Sequence, residues 1–105
     1  EFDFLLYEPE VREEQLQYKN TDMKQIKFHI EEARRLLENI DEADFSYEKI
    51  KEVLMHYADT LPSRGELLHP VRFALSGQDR SPDPFIIATV LGKNETIKRL
   101  QKVLV

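Results

Sequence analysis

Cysteine is absent from these 105 residues. That removes thiol nucleophiles, disulfide frameworks and thiolate metal sites together, and it fits a reducing compartment. No stretch approaches the roughly 18 uninterrupted apolar residues of a membrane span, and no basic segment followed by an apolar run marks a secretory signal. A soluble cytoplasmic protein without a membrane partner is the expectation. Glycine is scarce, three in all, and none stands in a glycine-rich loop followed by Lys-Ser/Thr that would cradle phosphates. No serine occupies a Gly-x-Ser-x-Gly elbow. His29, His56 and His69 are 27 and 13 residues apart, so no two share a helix face at the i, i+4 spacing of paired zinc ligands. The adjacent acids Glu13-Glu14 and Glu31-Glu32 diverge by about 100° on a helix and cannot share a substrate proton. The chain is therefore expected to hold no catalytic group, no cofactor and no metal.

Its hydrophobic content is an ordinary 41%, and a domain of this length buries roughly two-thirds of the surface its unfolded chain exposes. Charge is unevenly placed. Residues 1–60 hold 8 lysines and arginines against 16 acids, while residues 61–105 hold 7 against 4. The overall net charge of -5 argues against a surface that grips a phosphate backbone everywhere, and the basic second half is where a polyanion would be met.

Helical periodicity dominates. Glu1 to Tyr7 has the pattern of the last turns of an amphipathic helix, and Glu8-Pro9-Glu10 breaks it; the chain reads as an excised fragment. Val11 to Tyr18 is a charged connector with room for one or two helical turns. Met23, Ile26, Ile30, Ala33, Leu37 and Ile40 repeat at three and four residues, which predicts a helix over about 21–39 with Thr21 as N-cap. After the polar turn 41–44, Phe45-Ser46 followed by Ile50 has the form of a hydrophobic staple across a serine cap. The helix it opens runs over about 47–60, with Tyr47, Ile50, Val53, Leu54, Tyr57 and Leu61 on its inner face. Residues 66–75 are helical, with a kink or a fresh start expected at Pro70, and Gly77 is suited to a left-handed C-terminus. Ser81-Pro82-Asp83 reads as N-cap, first-turn proline and first-turn acid. That helix stops at Leu91-Gly92, and a last one covers about 94–104 with Ile97, Leu100, Val103 and Leu104 on one face. No segment has a strand's alternation. The fold class is all-α, a helical bundle.

Gly65-Glu66-Leu67-Leu68-His69-Pro70-Val71-Arg72-Phe73-Ala74-Leu75-Ser76-Gly77 resembles the C-terminal signature of bacterial-type glutamyl-tRNA synthetases. There an apolar pair, a variable residue and Pro-Leu-Arg lead into Ala-Leu-Thr-Gly. The family continues with a Ser/Thr-Pro pair, a Phe and a Leu-Gly-Lys before its final helix; here those are Ser81-Pro82, Phe85 and Leu91-Gly92-Lys93, in order and at matching spacing. Leu16-Gln17-Tyr18-Lys19 is similar to the family's linker more loosely. The family often has Gln or Trp where His69 stands, and a Gly-Leu pair where Asp83-Pro84 stands.

The resemblance implies the α-helical cage that forms the anticodon-binding end of a class I synthetase, with residues 1–15 as the end of a preceding helical subdomain and connector, and 16–105 as the anticodon-binding domain. It implies a monomeric glutamate-tRNA ligase whose ATP site lies in a separate catalytic domain, and two partners: the anticodon loop of tRNA(Glu) and the rest of the synthetase chain. Arg72 is the leading candidate for RNA contact, since its guanidinium offers both a stacking plane and a fork of donors. The Ser81-Pro82 corner is the second, and His69 and Pro84 fall at the family's anticodon-lining positions. The residue-level alternative for Arg72 is a structural ion pair with a nearby acid, and for Ser81-Pro82 a plain helix cap. Leu68, Val71, Leu75 and Phe85 read as core. Lys93, Lys98, Arg99 and Lys102 suit either an approach to the anticodon stem or a solvated helix face. A helical protein-interaction module, suggested by the acidic first half, and the related domain of a class I lysyl-tRNA synthetase are the competing functions.

Overall fold

The computed structural model describes residues 3–105. Six helices carry the fold: α1 (Glu13–Leu16), α2 (Met23–Glu38), α3 (Tyr47–Ala58), α4 (Gly65–Ser76), α5 (Pro84–Leu91) and α6 (Lys93–Lys102). Short 3-10 turns occur at Asp3–Leu5 and Glu42–Asp44. No strand occurs among the described residues, so the fold is all-α as expected. Glu1 and Phe2, part of the predicted opening helix, lie outside the described residues; from Asp3 onward that segment is a 3-10 turn whose Phe4 is buried in the core.

α4 is the hub. It packs against each of the other five helices and against the opening 3-10 turn. Leu67, Pro70, Val71, Phe73, Ala74, Leu75 and Ser76 are all buried, too many for a single amphipathic stripe and consistent with neighbours on several sides. α2, by contrast, presents one apolar face, with Ile26, Ile30, Ala33 and Leu37 buried where the three-and-four spacing puts them.

The helix starts differ from the sequence reading in two places. Asp22, not Thr21, caps α2: its side chain accepts a hydrogen bond from the Gln25 backbone N–H at 2.8 Å, while Gln25 Oε1 accepts from the Asp22 backbone N–H at 3.0 Å. A reciprocal box needs Glu or Gln three residues after the cap, which Asp22 has and Thr21 lacks. The Thr21 hydroxyl instead donates to the Tyr18 carbonyl at 2.6 Å. Likewise Asp83, not Ser81, caps α5, accepting from the Ile86 N–H at 2.9 Å, with Pro84 at the first helical position. Asp83 precedes a proline, whose ring excludes the helical region for the residue before it; its ψ of 160° is extended accordingly.

Pro70 does not divide α4 into two helices or begin one. The helix runs unbroken from Gly65 to Ser76 with Pro70 buried inside it. An interior proline forfeits one ladder bond and costs about 3 kcal/mol. The burial of Leu67, Val71, Ala74 and Leu75 around it offsets that. Ser46 caps α3, accepting from the Lys49 N–H at 3.3 Å, as predicted. Gly77 ends α4 in the left-handed region at φ 66°, its N–H donating to the Phe73 carbonyl at 2.7 Å.

Candidate nucleic-acid interface

The turn after α4 brings Arg72 to Ser81. Arg72 Nη1 donates to the Asp79 carbonyl at 2.9 Å, to the Ser81 hydroxyl at 2.9 Å and to the Gln78 carbonyl at 3.3 Å. Ser81 Oγ in turn donates to the Pro82 carbonyl at 3.2 Å. Ser76 reinforces the loop from the other side: its hydroxyl donates to the Arg72 carbonyl at 2.8 Å and accepts from the Gln78 N–H at 3.1 Å. One guanidinium nitrogen thus ties the 77–81 loop to the helix. Nε and Nη2 make no hydrogen bond among the described residues, and Arg72 is half-exposed. The alternative of an ion pair with a neighbouring acid is not how Arg72 is held. Its partners are carbonyls and a hydroxyl, which leave its positive charge uncompensated.

His69 lies one turn before Arg72 on α4. Its ring is sandwiched between Tyr18, at 5.5 Å between centroids, and Phe73, at 4.9 Å. Burial, with the charge of Arg72 beside it, lowers its pKa from the usual 6.5 and favours the neutral ring. Arg72 also stands over Phe73, with its guanidinium carbon 5.2 Å from the ring centroid. Tyr18, from the linker before α2, packs the hydroxyl end of its ring against Gly65, where a Cβ would come within 2.3 Å of it; its hydroxyl is 3.2 Å from Ser63 Oγ. Arg72, His69 and Ser81 are therefore one contiguous surface. Pro82 borders it half-buried, whereas Pro84 is buried at the start of α5 and acts on the surface by fixing the loop's exit.

The family whose model matches residues 1–104 is described as an anticodon binding domain. The chain belongs to that family.

Among curated relatives, the anticodon-binding domain is 36% identical over 72 residues to glutamate–tRNA ligase 1 of Orientia tsutsugamushi, covering 68% of this chain and 15% of that protein. It is 34% identical over 94 residues to glutamate–tRNA ligase 1 of Syntrophomonas wolfei, covering 82% and 19%. It is 26% identical over 103 residues to the glutamate–tRNA ligase of Thermodesulfovibrio yellowstonii, covering 97% and 20%. The chain thus spans no more than about a fifth of the length of these relatives. No solved structure matches. The matched family is a binding module, and the chain is read as one rather than as an enzyme.

Each basic residue of the last helix has a partner within the protein, while Lys98 and Lys102 stand on its exposed face. Lys93 Nζ donates to the Ile40 carbonyl at 2.7 Å, and Lys98 and Lys102 pair with Glu8 at 3.4 and 3.1 Å. Arg99, only 3% exposed, donates to the Leu75 carbonyl and to Glu95, each at 2.8 Å. Helical periodicity placed Arg99 on a polar face; it is instead buried where α6 crosses α4, α2 and α5. Tyr18 is the site residue that residue-level reasoning passed over. Its signal was its place in the Leu16-Gln17-Tyr18-Lys19 linker. No helix among the described residues is long and apolar enough to cross a membrane.

Proposed function

We propose that the anticodon-binding domain recognises the anticodon loop of tRNA(Glu) as the C-terminal part of a monomeric, cytoplasmic glutamate–tRNA ligase, with ATP and the aminoacylation chemistry assigned to the rest of that chain. The observation that carries this is the Arg72–Ser81 junction. A guanidinium fixed by one nitrogen keeps two others for an unpaired base; such bases are bound by hydrogen bonds to their edges as well as by stacking on planar groups. Pre-organisation matters here, because Arg72 and Ser76 hold the loop through bonds within the protein itself. The rest of the ligase has a face to meet: Leu6 and Val90 are 76% and 61% exposed and border one recess with Leu5.

The test is titration of this chain with a stem-loop RNA carrying the tRNA(Glu) anticodon, against the same stem with its three anticodon bases changed. Tighter binding of the cognate loop, lost in Arg72→Ala, is the expected result. Equal affinity for the two loops would sink the reading.

A further inference from the structure

On the far side of Tyr18 from Arg72 lies a groove of about 430 Å³, between the linker, the start of α2 and the corner joining α3 to α4. Tyr18 and Leu61-Pro62 form its walls, Lys19 stands at its rim, and His29 and Glu66 line its depth. It shares Tyr18 with the His69 cluster, but neither Arg72 nor Ser81 lines it.

The inner groups are arranged to recognise something. His29 is 8% exposed, its Nδ1 is 2.9 Å from the Tyr57 hydroxyl, and its Nε2 is 3.9 Å from Glu66 Oε1. The last distance is too long for a hydrogen bond, so both atoms retain capacity. The carboxylate favours the tautomer with its proton on Nε2, which makes Tyr57 the donor to Nδ1. Burial holds the His29 pKa below the usual 6.5, so near neutral pH the ring is an uncharged donor. The groove thus presents one N–H donor and one anionic acceptor side by side.

The rim carries a second observation. Lys19 adopts φ 49°, the only non-glycine residue with positive φ among those described, and its ammonium stands 5.3 Å from the Tyr18 ring centroid. Strained backbone of this kind concentrates at binding sites. Here it sets a cation at the mouth of a groove walled by an aromatic ring, with the carboxylate at depth. Tyr18 also contacts His69, which joins the groove to the Arg72 surface without a break.

We propose that this groove holds the base of a second unpaired nucleotide, one that carries an amino group beside a ring acceptor, with its phosphate against Lys19. The proposal rests on the RNA-binding reading above. Cytosine illustrates the match: its amino group donates to Glu66 and its ring nitrogen accepts from His29 Nε2. Uracil in the same pose sets its O4 carbonyl against the Glu66 carboxylate and its ring N–H against the His29 N–H, and is disfavoured.

The experiment is amide NMR of this chain titrated with cytidine 5′-monophosphate, uridine 5′-monophosphate, ribose 5-phosphate and the anticodon stem-loop. The cytidine nucleotide is expected to shift Asn20, Gln25, His29 and Glu66 roughly tenfold more tightly than the uridine nucleotide, while ribose 5-phosphate shifts only the surroundings of Lys19. The stem-loop is expected to shift both the groove and Arg72–Ser81. Glu66→Gln should abolish the preference for cytidine, because an amide donates as well as accepts. Lys19→Gly should weaken nucleotide binding while leaving Tm unchanged or raised, since glycine relieves the backbone; a merely structural Lys19 would move Tm and not binding. Shifts at Arg72–Ser81 without shifts in the groove would overturn this proposal and leave the RNA-binding reading standing. A stem-loop that shifts nothing would overturn both.

Discussion

Arg72 Nη1 and Ser81 Oγ lie 2.9 Å apart across a loop that Gly77 turns back on itself, so the two residues expected to meet RNA also hold each other. The same contact orders the protein and presents the donor. The structural role of Arg72 and the binding role proposed for it are therefore not separated by any single truncation.

Replacement by lysine weights them unequally. A lysine reaches one or two of the three acceptors but has no planar fork. Arg72→Lys is expected to lose about 0.5–1.5 kcal/mol of stability while losing most discrimination between cognate and altered loops. Arg72→Ala should lose both, and urea unfolding alongside RNA titration reads the two effects independently.

Gly77 tests how the loop is set. An alanine there is strained at φ 66° and brings its Cβ within 2.6 Å of the Pro9 ring. Gly77→Ala is expected to destabilise by about 1–3 kcal/mol, measured by urea midpoint. Gly65→Ala meets no positive φ, but its Cβ falls 2.3 Å from the Tyr18 ring. Its stability loss should be accompanied by displacement of Tyr18 from His69, visible as a change in the His69 ring resonances.

Acidification should weaken the fold in two stages. His29 and His69 both have pKa values lowered from 6.5, chiefly by burial, so the unfolded chain binds protons more readily than the native one. Stability then rises with pH between those lowered values and 6.5, is complete above that range, and falls as pH drops through it. Glu8 and Glu31, held below 4.5 chiefly by Lys102 and Arg34, add a further loss at lower pH with the same sign. Urea midpoints measured from pH 7.5 to 4 should decline over both ranges. His69→Phe, which keeps the ring contacts, should flatten the upper one; an unchanged slope would assign the decline elsewhere.

Arg99 is the buried charge. Its guanidinium satisfies the Leu75 carbonyl near the end of α4 as well as Glu95. Arg99→Met fills similar volume but leaves that carbonyl without its donor, at an expected cost of about 2–3 kcal/mol. RNA binding by the folded fraction should be unchanged, since the hydrogen bonds of Arg99 go to Leu75 and Glu95 and not to Arg72 or Ser81. A selective loss of binding with intact stability would contradict this assignment.

Much of the architecture was legible because it is local. The three-and-four spacing from Met23 to Leu37 defines a buried face whatever packs against it, and Ser46, Gly77 and Leu91-Gly92 mark helix ends through chemistry confined to a few residues. Even the two misplaced caps were decidable from neighbours: Gln25 selects Asp22 over Thr21, and Pro84 forces Asp83 out of the helix. Pro70 was not. Local chemistry says a proline interrupts a helix, and only the burial of α4 against each of its neighbours outweighs that.

The candidate site divides the same way. The motif from Leu67 to Lys93 identifies Arg72, His69, Ser81 and Pro82 as residues of interest, because their types and spacing persist in one dimension. Residue types alone favoured an acid as the partner of Arg72, whereas its contacts are carbonyls and a hydroxyl of the loop. They also placed Arg99 and Lys93 on a solvated face or against RNA, whereas both are bound within the fold. Tyr18 meeting His69, and His29 meeting Tyr57 and Glu66, join residues 28 to 51 positions apart. The amino-acid order determined the helices, their ends and the motif, since each depends on interactions within a turn or two. Which side chains became loop staple, buried charge or groove lining was decided by the crossing of α2, α4 and α6, because helix periodicity says which face a residue is on but not what will cover it.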